Sequence, residues 1–341
     1  MAWVVFLFWA LLLLASSLNF PERTCVVLSG VLSGSLLPVL LSVAGRYAAE
    51  VEAHSGPIAR VSMSAAFWTA LFALAMVIAD SYQRSEARTR IFILLIIMAS
   101  GAAVIALFAS GSLDHLSIMK EFANRKDRFF LELKTHLVIA GSSVGIALLI
   151  GIPLGALAHR VGRFRAPTFF TLNTLQTVPS LALFGILVPI LAALTHRFPA
   201  LHGMGIRGIG ATPAIIALTI YSLLPIARNT FTGFLAVDPA VVDAGRGMGM
   251  TRIQMLLQVE VPIASPIILS GVRIALVQAV GLTAVAALIG AGGFGVFIFQ
   301  GLGQAATDLI LLGAVPTILI AVAADVAMNG IIAIASPKGM R

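Results

Sequence analysis

The sequence predicts an all-α polytopic membrane protein, and three observations carry that reading. The first is composition: of 341 residues, 59% are hydrophobic and 11% charged, and the mean hydropathy is +1.03. Water-facing domains carry roughly 25% charged residues, so this chain lacks the material to coat an aqueous surface. The second is the length of its apolar runs. A spanning helix needs about 20 mostly apolar residues, and the stretches 2–18, 25–45, 61–79, 91–110, 134–157, 168–194, 211–229, 266–289 and 308–334 meet that need. The third is where the charge lies. It collects between these runs, and its formal balance is +8, as expected where cations hold short loops at the cytoplasmic face.

Taken in order, the first run has no Lys or Arg before it, so the basic n-region of a signal peptide is missing and a retained helix is expected. The second begins at Cys25, the only cysteine, which excludes an internal disulfide and a multi-cysteine metal centre. His54, His115, His136, His159, His196 and His202 show no HxxxH or HExxH spacing, so no histidine metal site is expected. After four spans in residues 1–110 comes GSLDHLSIMKEFANRKDRFFLEL (111–133), rich in both charge signs. It is expected to be an amphipathic connecting segment at the membrane surface. Five spans follow in 134–335. The short basic loop HRVGRFR (159–165) contains no acidic residue and marks the cytoplasmic side.

The polar motifs gather in the second half. Gln176, Pro179 and Ser180 sit in one run, and Tyr221, Pro225 and Asn229 in or at the end of the next. Polar groups at membrane depth face a bundle interior or a watered cavity, and each proline removes a helix hydrogen bond and invites a kink. These six residues are the candidate translocation pathway. Asp325 and Asn329 lie in the last run, where a carboxylate is a functional candidate by default; they are read here as packing near the cytoplasmic end. Gly30/Gly34, Gly141/Gly145 and Gly151/Gly155 have the GxxxG spacing that lets helices approach closely, within one subunit or between two.

Two GxGxxG matches, at 203–208 and 290–295, follow no soluble strand, so a dinucleotide site fails on context and tight turns are expected. There is no GxxxxGK[ST] loop and no Gly-Lys pair, and no triad or paired-carboxylate context. An enzyme in its own right is not expected, and any ATP must bind on another chain.

The stretch VVDAGRGMGMTRIQMLLQVEVP (241–262) is too polar to span, yet it is built to fold. Asp238 can cap and Pro239 can start a short helix to about Met248. Gly249 breaks it, and Thr251 can cap a second helix. The result would be an elbow suited to pressing into a partner's groove. Here the chain resembles the permease subunits of bacterial ATP-binding cassette importers. Their cytoplasmic loop carries Glu-Ala-Ala, three residues, Gly, and later Leu-Pro; this chain has Asp243-Ala244-Gly245, Gly249 and Val261-Pro262. Asp replaces Glu, Gly the second Ala and Val the Leu.

The stretches HLVIAGSSVGIALLIGIPLGALAHR (136–160), LQTVPSLALFGILVPI (175–190), GIGATPAIIALTIYSLLPIARNT (208–230) and GAGGFGVFIFQGL (290–302) resemble the osmoprotectant branch, permeases for glycine betaine, choline, carnitine or proline betaine. The resemblance implies a five-helix permease core with about four extra helices before it and a cytoplasmic coupling loop at 230–262. It implies ATPase contacts through Asp243, Ala244, Gly245, Gly249, Met250 and Pro262. The implied partners are two ATPase subunits carrying ATP and Mg, a periplasmic binding protein, and an identical or different second permease in the bacterial inner membrane. Three rivals remain: an ion-gradient-driven secondary transporter, for which Asp325 would be the ion site; a permease of the same class for another small solute such as an amino acid; and a non-transporting membrane scaffold or sensor, against which the intramembrane polar patches argue.

Overall fold

The computed structural model describes residues 22–336 apart from Pro57 and Met204; the expected span 2–18 lies outside them. Among the described residues every regular element is a helix, with one isolated bridge between Val61 and Leu116. Eight helices among the described residues are long and apolar enough to cross a membrane. The chain divides into two compact units at Asn124/Arg125.

The first unit holds α1 (Glu22–Ser55), α2 (Ala65–Arg84), α3 (Ala87–Ala109) and α4 (Ser117–Asn124). Leu36, Leu40 and Leu74 pack at its centre. Gly30 and Gly34 serve this packing: a Cβ at Gly30 would lie 3.3 Å from Ser81 Cβ, and one at Gly34 would lie 2.6 Å from Ile96. Where α1 ends, Glu52 accepts from His115 and Lys120, each at 2.8 Å, tying it to the start of α4.

The second unit begins with α5 (Lys126–Arg160), whose first turns therefore belong to the stretch 111–133. It continues with α6 (Gly162–Thr177), α7 (Ser180–Arg197), the one-turn α8 (Ala200–Gly203), α9 (Ala211–Leu235), α10 (Pro239–Gly247) and α11 (Arg252–Met255). A π-turn at Leu256–Glu260 leads into α12 (Val261–Ala286); α13 (Gly295–Gly303) and α14 (Thr307–Ala335) complete it. Five of the eight membrane-length helices lie here, as the five-helix core requires. The continuous span expected at 168–194 is instead two helices, α6 and α7. Pro179 has no N–H to donate and restricts Val178 to an extended backbone (φ −67°, ψ 126°), so the helix stops and restarts.

Helix α9 is the most buried span and packs between α5 and α12. Small residues set these distances. A Cβ at Gly155 would run into the Ala227 carbonyl and lie 2.7 Å from Thr230 Cβ, and one at Gly271 would lie 2.6 Å from the Pro225 carbonyl. Gly151 and Gly155 thus work inside the subunit, whereas a Cβ on Gly141 or Gly145 meets nothing within 4 Å. Ile139, Val144, Phe184, Leu218, Val272 and Val280 fill the core between these helices.

Candidate functional site: a capped elbow and polar nodes within the spans

The elbow forms where its cap residues place it. The Asp238 carboxylate accepts from the Ala240 N–H at 2.8 Å, and Pro239 occupies the first turn of α10, where an N–H would have no partner. At the other end Gly249 has φ +77°. Its N–H donates to Arg246 O at 2.9 Å and the Met250 N–H donates to Gly245 O at 3.2 Å, the paired bonds of a Schellman motif. Thr251 and Gln254 then exchange side-chain and backbone bonds as a capping box that starts α11. Gly245 is buried because a Cβ there would lie 3.1 Å from Met255 Sδ and 3.2 Å from Met250 Sδ, which seats α10 on α11.

The opposite surface of the elbow is open. Asp243, Ala244 and Gly249 are exposed, Met250 is half-buried, and Pro262 is exposed at the start of α12. Val241, Met248, Ile253 and Leu257 present apolar side chains beside the Asp243–Arg246 ion pair of 3.2 Å. A cavity of about 310 Å³ behind the elbow is lined by Arg160, Arg246, Met250, Arg252, Met255 and Glu260. Arg160, at the end of α5, is ion-paired with Glu260 in the π-turn. The elbow is therefore connected to α5 and α12 through a charged contact and a methionine contact.

The six pathway candidates separate into two groups. Gln176 Nε2 donates to the Tyr221 carbonyl at 3.4 Å, and the Tyr221 hydroxyl donates to the Val178 carbonyl at 2.5 Å. That carbonyl lies at the α6–α7 break beside Pro179 and half-buried Ser180, so the break and α9 hold each other. Asn229 is elsewhere, eight residues or about 12 Å along α9 at 1.5 Å per residue. Its amide donates back to the Pro225 carbonyl at 2.9 Å, against Gly271 of α12.

Two polar groupings join residues that the sequence did not connect. Glu132 and His136 of α5 are buried and hold the glycine loop 290–295. Glu132 Oε2 accepts from the Gly293 N–H at 2.6 Å while its other oxygen takes Arg128 at 2.6 Å. His136 faces the Val280 carbonyl with Nε2 at 3.0 Å and accepts from the Phe294 N–H with Nδ1 at 3.3 Å. Gly290, Gly292 and Gly293 all have positive φ, so the second GxGxxG match is a tight turn clasped by α5. The other grouping is an ion pair inside the spans. Arg273 of α12 donates from Nε at 2.6 Å and from Nη2 at 3.1 Å to Asp325 of α14, and Asn329 donates to the same carboxylate at 3.2 Å. Asp325 therefore engages a partner on another helix rather than only packing at the end of its own. The i,i+4 spacings of Arg128 with Glu132 and of Asp325 with Asn329 were usable sequence signals; the contacts between elements join residues 52 to 161 apart.

Residues 147–339 match the family described as binding-protein-dependent transport system inner membrane component. Residues 1–119 match the family described as ABC transporter permease YehY, N-terminal domain. The osmoprotectant import permease protein OsmW of Salmonella typhimurium is 38% identical over 206 residues, covering 60% of this chain and 91% of the relative. The glycine betaine/carnitine/choline transport system permease protein OpuCD of Bacillus subtilis is 40% identical over 199 residues, 58% and 80% of the two chains. The choline transport system permease protein OpuBD of the same organism is 37% identical over 212 residues, 62% and 87%. Among solved structures, the MetNI methionine ABC transporter in an inward-facing conformation has the same fold: TM-score 0.54 and 21% identity over 62% of this chain and 97% of that one.

Proposed function

The chain belongs to the family of binding-protein-dependent transport system inner membrane components, a multi-pass permease subunit rather than a catalytic one, and from that premise we propose that it forms the pathway of an ATP-driven importer for quaternary ammonium osmoprotectants such as glycine betaine or choline. The solute class is supported by the relatives, whose names specify osmoprotectants, glycine betaine, carnitine and choline.

The observation that carries the ATP-driven mechanism is the elbow at 239–250. It is a helix capped at both ends, exposed on one side and seated on α11 by the other. A rigid, exposed helix of this kind transmits a push, where a linker without caps would absorb it. ATP and Mg bind the partner ATPases, one on each permease of a dimer of identical or homologous copies. Closure of the ATPases displaces α10 through Asp243, Ala244, Gly249 and Met250. The displacement reaches α12 through Met255 and Pro262, and α5 through the Glu260–Arg160 pair. Gln176, Pro179, Ser180, Tyr221, Pro225 and Asn229 line or shape the pathway, and a periplasmic binding protein delivers the solute. In this reading 159–165 and 230–262 face the cytoplasm, residues 1–110 form an appended helical domain, 111–133 connects, and 134–335 is the permease core.

The test is solute competition. The full importer in proteoliposomes, with its binding protein inside or outside as orientation requires, should take up labelled glycine betaine or choline, and excess unlabelled quaternary ammonium solute should abolish the signal. Competition by methionine or another plain amino acid, with none by quaternary ammonium compounds, would replace the solute assignment.

A further inference from the structure

The ion pair between Arg273 and Asp325 lies where charge is hardest to keep. Arg273 is 12 residues into α12 from Val261, and Asp325 is 10 residues from Ala335 at the end of α14. At 1.5 Å per residue the pair sits about 15–18 Å from those two helix ends, well inside two helices long and apolar enough to cross a membrane, whose hydrocarbon core is about 30 Å thick. Its side chains remain 38% and 34% exposed, and Asn329 beside them is exposed as well. A charged pair facing lipid at that depth costs several kcal/mol. What covers this face must therefore be polar.

The residual valences say which polar group fits. Arg273 spends Nε and Nη2 on Asp325, and its Nη1 has no partner among the described residues. An unspent guanidinium N–H edge suits a carboxylate. Asp325, the negative partner of the pair, accepts three hydrogen bonds, two from Arg273 and one from Asn329. A quaternary ammonium has no N–H and needs nearby negative charge rather than a vacant lone pair. We infer that Arg273 and Asp325 form a solute-facing dipole inside the spans, the guanidinium meeting the carboxylate of a zwitterionic solute and Asp325 its quaternary ammonium. Because the two charges already neutralise each other, the contact is weak enough to release what it takes, as a conduction site must. The inference rests on the osmoprotectant reading above and adds residues that the neutral Gln176–Tyr221 grouping does not include.

The experiment compares glycine betaine, a zwitterion, with choline, a cation without a carboxylate, in proteoliposomes holding the full importer, at equal amounts of assembled permease–ATPase complex. Arg273→Gln should lower glycine betaine uptake about tenfold, the loss of one charge-assisted contact, and choline uptake less than about threefold. The double exchange Arg273→Asp with Asp325→Arg keeps an ion pair but reverses the dipole, and should stay assembled without regaining wild-type glycine betaine uptake. Parallel loss of both solutes in Arg273→Gln, or full rescue of glycine betaine uptake by the exchanged pair, makes the pair a structural strut and overturns the inference. A wild-type importer that carries choline alone overturns it too, and one that carries glycine betaine alone leaves the exchanged pair to decide. A wild type that carries neither contradicts the functional reading itself.

Discussion

Replacing Gly249 varies one quantity, the backbone angle. Its φ is +77°, and a Cβ built there meets nothing within 4 Å, so no clash contributes. The left-handed conformation costs an ordinary L residue about 1–2 kcal/mol, and about 2–3 kcal/mol is a fair figure for a β-branched one. The bonds that hold this end of α10 are the two to the Arg246 and Gly245 carbonyls, each contributing about 0.5–1.5 kcal/mol. The valine penalty therefore matches or exceeds what the motif supplies, and it lowers the equilibrium constant for the formed elbow about 30- to 150-fold relative to glycine. Asparagine, which visits the left-handed region far more readily, should cost less than threefold. The assay is ATPase retention on purified permease, followed by ATP-dependent uptake at equal permease content. The expected order is Gly, Asn, Ala, Val, with the permease inserted in the membrane in every case. Full coupling in Gly249→Val would refute the reasoning. So would an Asn variant as poor as Val, because bulk rather than angle would then be the cause.

Glu132→Ala leaves the buried Gly293 N–H without its acceptor, at a cost of about 1–3 kcal/mol; it should lower the Tm of the detergent-purified permease by several degrees, and an unchanged Tm would remove Glu132 from the support of the 290–295 loop. Gln176→Leu and Asn229→Leu should each slow uptake while binding-protein affinity and ATPase docking stay as in wild type; unchanged uptake in both would assign these residues to packing. In a Cys25→Ser background, an impermeant thiol reagent added from the periplasm should label Leu201→Cys and spare Arg163→Cys. The reverse pattern would invert the proposed orientation.

The parts of the molecule that were legible in the sequence are those set by neighbours in the chain. Asp238, Pro239, Gly249 and Thr251 act within a few residues of themselves, so the caps and the break of the elbow could be read directly. Apolar length gave the membrane helices for the same reason. The run 168–194 misled because hydropathy continues across a backbone break: Pro179 interrupts the hydrogen-bond ladder without interrupting the apolar character. The π-turn at Leu256–Glu260 has no local sequence mark and arises where Glu260 meets Arg160. Arg273 and Asp325 could not be paired by spacing, since 52 residues separate them. Their joint meaning emerges only when α12 packs on α14. Likewise His136 read as an isolated histidine, and only its contact with Val280 and Phe294 shows it clasping a loop.

The central claim is that solute movement through this permease is driven by ATP on a partner chain rather than by an ion gradient. It is tested most directly by following glycine betaine or choline uptake in proteoliposomes containing the permease, its ATPase and its binding protein, with ionophores collapsing the proton and sodium gradients. The account predicts that uptake persists with ATP present, stops when ATP is replaced by a non-hydrolysable analogue, and is lost in Gly249→Val. Uptake that proceeds without ATP and disappears with the ionophores would contradict it.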